Sequence, residues 1–205
     1  MADSPLLDWS RRLAAIAQSG LAFDPGVYDR QRYEELVALA AEMATWPDGD
    51  MASVAAAFTR DLGYATPKLV CRGAVFDRER ILMVRETIDG LWTIPGGWID
   101  VGEGPTAAVE REVWEETGYQ VTADKLAMVA DKRRYPHPPV PHHSYILFFL
   151  CTLRGGSPRP SVETSEVGWF AEDDLPSLST NRVVTTQVHR MFRHHRDPGR
   201  PTDVD

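Results

Sequence analysis

The chain has little cysteine: Cys71 and Cys151 are its only two, far apart and without metal-ligand spacing. That excludes a disulfide-stapled scaffold and a thiolate metal centre, and it points to free buried thiols in a reducing cytoplasm. No apolar run approaches the ~20 residues that span a bilayer, so no membrane-spanning helix is expected. The opening MADSPLLDWSRR lacks the basic-then-apolar layout of a secretory leader. Positive charge is also scarce. Lys and Arg number 22 against 30 Asp and Glu, a net charge of −8, which argues against sequence-independent nucleic-acid binding because backbone affinity comes from Lys and Arg. No segment repeats. What is present is an ordinary globular composition, 43% hydrophobic and 25% charged, over 205 residues. That length suits one sizeable domain with a small appendage.

Residues 1–64 read as a separate helical domain. Leu6, Leu7, Trp9, Leu13, Ile16 and Ala17 recur at helical spacing, with Ser19-Gly20 as the expected stop. A second helix of about 20 residues carries Tyr33, Leu36, Val37, Leu39, Ala40 and Met43 on its apolar face. A third is expected over Met51–Leu62. Helices this short rarely bury enough surface alone, so they are expected to pack on the main domain or on a second subunit. Residues 65–205 form the main domain. Strands are expected at Leu69–Phe76, Ile81–Arg85, Leu91–Ile94, Lys125–Lys132, Ser144–Leu153 and Val167–Phe170. The Ser144–Leu153 run is almost continuously apolar and is expected to be central. Asn181 is expected to cap a last helix ending near His194, with Arg196–Asp205 as a frayed tail. Strands before, around and after one central helix predict an α/β/α sandwich over a mixed sheet.

The chemistry concentrates in Gly97–Tyr119, GWIDVGEGPTAAVEREVWEETGY. Pro105 suits the first turn of a helix and Gly118 the left-handed position that ends one. Between them Glu112, Glu115 and Glu116 stand at i, i+3 and i+4, so their carboxylates share one face. Three like charges there repel and raise one another's pKa. A hard divalent cation removes that penalty, and Mg²⁺ is the natural choice, with Mn²⁺ as a substitute. Arg111 can reach back to Glu103 and fix the loop onto the helix. A Glu-rich helix is more often a solvated surface, and that reading is kept for Glu110.

The spacing overrides it for the others. Gly97, Glu103, Arg111, Glu112, Val113, Glu115, Glu116 and Gly118 match the signature box of the Nudix hydrolases, and Tyr119 departs from it only as an aromatic at an aliphatic position. The resemblance implies a Nudix α/β/α sandwich and a metal-dependent pyrophosphohydrolase. By position, Glu112, Glu115 and Glu116 resemble its metal ligands, and Gly97 would lend its carbonyl. Glu103 and Arg111 resemble the pair that fixes the loop, with Glu103 and Glu115 also candidates near the chemistry. The box does not fix the general base. Either an acid of the box or one on a later loop serves, and Glu166 is favoured over Glu163, against the plain reading of a strand-edge surface acid. The similarity extends through RGAVF, MVRE, DGLWTIPGGWIDVGE and VGWFAEDDLP to one subgroup with an N-terminal helical domain. These are hydrolases of X-linked nucleoside diphosphates, including CDP-choline and ADP-ribose pyrophosphatases, and they tend to be dimers.

Substrate contacts are less constrained. Arg72 and Arg85 sit in apolar strands, where an inward Arg needs an anionic partner. They reach the diphosphate or the acidic helix, or else they point to water or pair with Glu86 or Asp77. Trp98 and Tyr135 could stack on a base or sugar, and the Pro- and His-rich loop Tyr135–His143 suits a pocket wall. Two rival readings remain. One is RNA-end processing through the basic clusters Lys132-Arg133-Arg134 and Arg190–Arg196. The other is a nucleotide-sensing regulator without turnover, which a broken box would favour.

Overall fold

The computed structural model describes residues 5–23, 25–45, 64–140, 142–159 and 161–205. The chain divides into two compact units, Met1–Lys68 with Pro139–His143, and Leu69–Pro138 with Ser144–Asp205. The first holds helices α1 (Pro5–Ala22) and α2 (Val27–Thr45). α1 runs through Gly20 rather than stopping there. A Cβ on Gly20 would lie 2.4 Å from the Tyr33 ring, so this glycine serves close packing between the helices and ends neither. Ser10 buries its hydroxyl on the Ala40 carbonyl at 2.6 Å. The expected third helix, Met51–Leu62, lies outside the described residues. Among the described residues no helix is long and apolar enough to cross a membrane.

The second unit is built on a mixed seven-stranded sheet. Its strands are β1 (Lys68–Asp77), β2 (Arg80–Glu86), β3 (Trp92–Thr93), β4 (Tyr119–Asp131), β5 (Ser144–Gly156), β6 (Thr164–Ala171) and β7 (Asp203–Val204). They run in the order β3-β2-β1-β5-β4-β7, and β6 pairs along β2. β5 is therefore interior, as its apolar run predicts. Helix α3 (Pro105–Thr117) covers one face through Ala108, Val109 and Val113. Helix α4 (Thr185–Arg196) covers the other through Val188, Met191 and Phe192. This is the expected α/β/α sandwich.

Three boundaries differ from expectation. β4 begins at Tyr119, directly after the left-handed Gly118 (φ 77°) that closes α3. Asn181 does not cap α4. The 179–183 segment is a turn in which the Ser179 carbonyl accepts the Arg182 and Val183 amides, and the helix starts at Thr185 with the Gln187 amide oxygen accepting the Val184 N–H. The tail does not fray. Asp203–Val204 pairs parallel to β4 at Met128 and Val129, and buried His194 (0% exposed) reaches Asp203 at 3.2 Å. Cys71 and Cys151 are both buried and free, and burial pushes the Cys71 thiol up to about 11.

Candidate active site

α3 presents its acids beside the Pro95–Gly97 corner. Gly118 turns the helix end with its N–H on the Trp114 carbonyl, and Thr164 of β6 anchors the same end by donating to the Glu116 carbonyl at 2.8 Å. The Glu116 side chain is 5% exposed and accepts the Gly96 N–H at 2.9 Å. Burial raises its pKa to about 7, against the lowering effects of Arg72 and that amide. Burial likewise raises Glu112, opposed by Arg111. A Cβ at Gly97 would stand 2.7 Å from the carboxyl carbon and both oxygens of Glu112, so a larger residue there would push this carboxylate aside.

Arg111 holds the loop. Its Nε and Nη2 each donate at 2.9 Å to the two oxygens of Glu103, the forked geometry suited to guanidinium and carboxylate. Its Nη1 also reaches Glu112 at 2.8 Å and Glu115 at 3.0 Å. The Arg111 pair holds Glu103 below its ordinary range. Glu115 is the more open of the three helix acids, its side chain 48% exposed.

The donor set fits a hard divalent cation: carboxylate oxygens on one helix face, two of them raised in pKa by burial. The Gly97 carbonyl accepts the Cys71 N–H at 2.9 Å and also faces the Cys71 thiol at 3.6 Å. Among the described residues no three acid, His or Cys side chains converge as a preformed cage.

The remaining sequence-predicted residues are placed as follows. Arg72 faces inward, 3% exposed, donating to the Ile94 carbonyl at 3.1 Å and to the Gly96 carbonyl, within reach of the Glu116 charge. It therefore braces the corner under Glu116. Arg85 does not turn to the acidic helix. Its Nε donates to the Gly90 carbonyl at 2.7 Å and its Nη1 to Glu166 at 2.5 Å, across a β2–β6 register pair. Arg85 thus holds Oε1 of Glu166, whose side chain is 53% exposed. Trp98 is 50% exposed next to the corner. Tyr135 corrects the expectation of a stacking ring: it is 9% exposed within the core, its hydroxyl bonded to Asp205 at 3.2 Å and Arg190 over its ring. The basic clusters read for RNA are largely engaged. Arg133 pairs with Asp131, and Arg196 with Glu79 and Glu172.

Sequence reasoning missed a second buried polar group. Glu86, 2% exposed, lies 2.8 Å from Arg182 Nε, and His137 is buried between the Thr180 carbonyl (2.7 Å) and Gln187 (3.1 Å). Nothing local marks these residues, which are brought together over roughly fifty to a hundred positions of chain.

A corner glycine, an Arg–Glu fork and a helix of clustered acids sit together on the α/β/α sandwich. The NUDIX domain model matches residues 67–190, and the chain belongs to the Nudix family. A second model, the UDP-X-like N-terminal oligomerisation domain, matches residues 4–58. Among curated relatives, YjhB of Bacillus subtilis (strain 168), provisionally named an ADP-ribose pyrophosphatase, is 41% identical over 97% of this chain and 96% of its own. A crystal structure of a UDP-X diphosphatase matches both chains over 100% at 30% identity with a TM-score of 0.64. An ADP-ribose pyrophosphatase from Streptococcus suis 89-1591 matches 68% of this chain and 100% of its own at 37% identity, TM-score 0.63.

Proposed function

We propose that this Nudix pyrophosphatase hydrolyses the diphosphate linkage of a nucleoside diphosphate joined to another moiety, of the ADP-ribose or CDP-choline type. The products are a nucleoside monophosphate and a phosphorylated moiety. The observation that carries the reading is the helix pair Glu112 and Glu116, both raised in pKa by burial, with Glu112 against the corner glycine Gly97. Glu112, Glu115 and Glu116, with the Gly97 carbonyl, would hold Mg²⁺ or Mn²⁺. A cation there supplies charge neutralisation on the diphosphate and an acidified water. Arg111 keeps Glu103 and the corner in register, and Arg72 braces the corner from beneath. Glu166 takes the proton of the attacking water once Arg85 releases it, and Arg85 is then free for a substrate phosphate. Trp98 offers its exposed ring to the base or sugar.

The N-terminal helices make a homodimer and shape substrate choice, in keeping with the oligomerisation model they match. Buried free thiols suit the cytoplasm. A second reading, hydrolysis of RNA ends, draws on an NAD-capped RNA hydrolase of Chromobacterium violaceum, 34% identical over 53% of this chain and 37% of its own. The engaged basic clusters weigh against it, and the intact acidic box weighs against a regulator without turnover.

The test is a substrate panel with Mg²⁺ and Mn²⁺ covering ADP-ribose, CDP-choline, a UDP-sugar, dinucleoside polyphosphates, NADH and a short capped RNA. The expected outcome is metal-dependent cleavage of an X-linked nucleoside diphosphate well above RNA. Faster processing of RNA than of every small diphosphate would overturn the proposal.

A further inference from the structure

Thr164 stands between the helix that carries Glu116 and the strand that carries Glu166, and a bulge in β6 puts it there. Along β6, Val167 and Trp169 pack with the α3 residues Val109 and Val113, while Phe170 packs into the other core. Strict alternation carried back from them would turn Ser165 toward α3 and Thr164 away. Instead the register slips: Glu166 pairs with Arg85 and Thr164 with Glu86, so Ser165 is left over. Ser165 donates its hydroxyl to the Arg85 carbonyl at 3.2 Å. An extra residue of this kind re-aims its neighbours. Thr164 is 0% exposed, with its hydroxyl on the end of α3.

That hydroxyl has a single proton, and its surroundings decide where the proton goes. Ser161 Oγ already accepts the Glu163 and Thr164 N–H groups, each at 3.1 Å. Its own proton therefore points to Thr164 Oγ1, 3.1 Å away. The Ser161 N–H is shared between the Thr164 carbonyl at 3.0 Å and Thr164 Oγ1 at 3.2 Å. Both lone pairs of Oγ1 are taken, and its proton is left for the Glu116 carbonyl at 2.8 Å. That carbonyl is one of the last four of α3, which have no partner inside the helix. The Gly118 N–H closes the Trp114 carbonyl and the Arg159 N–H closes that of Thr117; Glu116 is closed by a side chain. Glu116 is thus tied twice, its carbonyl to Thr164 and its carboxylate to the Gly96 N–H at 2.9 Å.

We propose that Thr164 is a positioning residue for the hydrolysis: its hydroxyl fixes the backbone of Glu116 to the strand that carries Glu166, so that the carboxylate offered to the metal ion and the acid offered to the attacking water keep one spacing. The inference rests on the metal-dependent diphosphatase reading and deepens it. Val keeps the β-branched shape of Thr without the hydroxyl, and Ser keeps the hydroxyl without the methyl. The two substitutions therefore separate the hydrogen bond from the packing.

The test compares full-length Thr164→Val and Thr164→Ser with wild type. Amide exchange at Gly96, followed by NMR in EDTA, reads the Glu116 contact and needs neither cation nor substrate. Mn²⁺ titration followed by EPR reads the carboxylates as ligands. In Thr164→Val, Gly96 is expected to exchange about tenfold faster, the scale of one lost hydrogen bond. Mn²⁺ is expected to bind about tenfold more weakly, as when a group that orients a ligand is lost. Thr164→Ser stays within about threefold of wild type in both. For whichever diphosphate is cleaved, kcat falls in Thr164→Val with KM nearly constant. His194→Ala, destabilised at the end of α4, keeps the wild-type Mn²⁺ affinity, which separates positioning from loss of stability. Should Thr164→Val not fold, Ser161→Ala removes the donor that orients the Thr164 hydroxyl. It is expected to shift Gly96 exchange and Mn²⁺ affinity in the same direction, and wild-type values in it overturn the inference. Unchanged Gly96 exchange in Thr164→Val, or equal losses in Thr164→Val and Thr164→Ser, also overturns it. Hydroxyl-dependent Gly96 exchange in a protein that cleaves no diphosphate leaves the Thr164–Glu116 tie standing and removes the proposed function. Mn²⁺ binding and hydrolysis indifferent to Thr164→Val remove the positioning role alone.

Discussion

Two helix ends of this molecule carry dense charge and treat it in opposite ways. At the end of α4, most of the charge is paired. Lys125 donates to the Pro198 carbonyl at 2.9 Å, to the Arg200 carbonyl and to His194 Nδ1 at 3.3 Å; His194 Nε2 donates to Asp203 at 3.2 Å; and Arg196 bridges Glu79 and Glu172. That network closes the C-terminus onto β4. On α3, Glu116 is buried and Glu112 partly so, and burial raises both carboxyls against the opposing pull of Arg72 and Arg111. Charge that is satisfied holds a fold. Charge left unsatisfied at a structural cost marks where a ligand supplies the missing partner.

The largest break in this comparison is Glu116→Gln. Metal-dependent kcat is expected to fall about 10²- to 10³-fold, the scale of losing one charge-stabilising group, with Tm unchanged or higher because a buried charge is removed. Gly97→Ala comes next. Its new methyl meets the Glu112 carboxylate, and metal affinity measured by calorimetry is expected to drop about 10- to 100-fold, as for a displaced ligand support. Glu166→Gln is expected to lower kcat by about tenfold or more while KM moves little; equal losses in both would count against its role as base.

At the α4 end the effects should fall on stability and leave turnover alone. His194→Ala is expected to destabilise by about 2 kcal/mol or more through an orphaned Asp203 and a cavity, roughly 4–8 °C in Tm for a chain this size. The same pair sets a pH window. Burial lowers the folded-state pKa of His194 below the ordinary 6.5. For Asp203 burial acts upward, but His194 and Arg200 outweigh it and hold the carboxyl below 3.8. Both groups bind fewer protons folded than unfolded, so their contribution is present above about pH 6.5 and is lost as pH falls, His194 first and Asp203 below pH 4. A Tm–pH scan of wild type against His194→Ala should show the neutral-to-acid slope only in wild type.

Local spacing made the α3 side legible. Glu112, Glu115 and Glu116 share a face by helix geometry alone, and Pro105 and Gly118 bound that helix by their backbone chemistry. The α/β/α layout followed from strand-like runs around it. Long-range pairing stayed hidden. Arg85 meets Glu166 only because β2 and β6 are neighbours, and Tyr135 is buried because it joins the core cluster while Asp205 returns to its hydroxyl. The tail read as frayed because a two-residue strand has no periodicity of its own; its order comes from His194, Lys125 and the edge of β4. Gly20 read as a helix stop because sequence shows its flexibility and not the Tyr33 ring pressed against it.

The most direct test is hydrolysis of ADP-ribose in oxygen-18 water, with the products analysed by mass spectrometry in Mg²⁺ and in EDTA. The account predicts a nucleoside monophosphate and a ribose phosphate, one of them carrying a single oxygen-18, formed only with the divalent cation and lost in Glu116→Gln. Turnover that persists in EDTA or in Glu116→Gln, or label appearing in released inorganic phosphate, would contradict it.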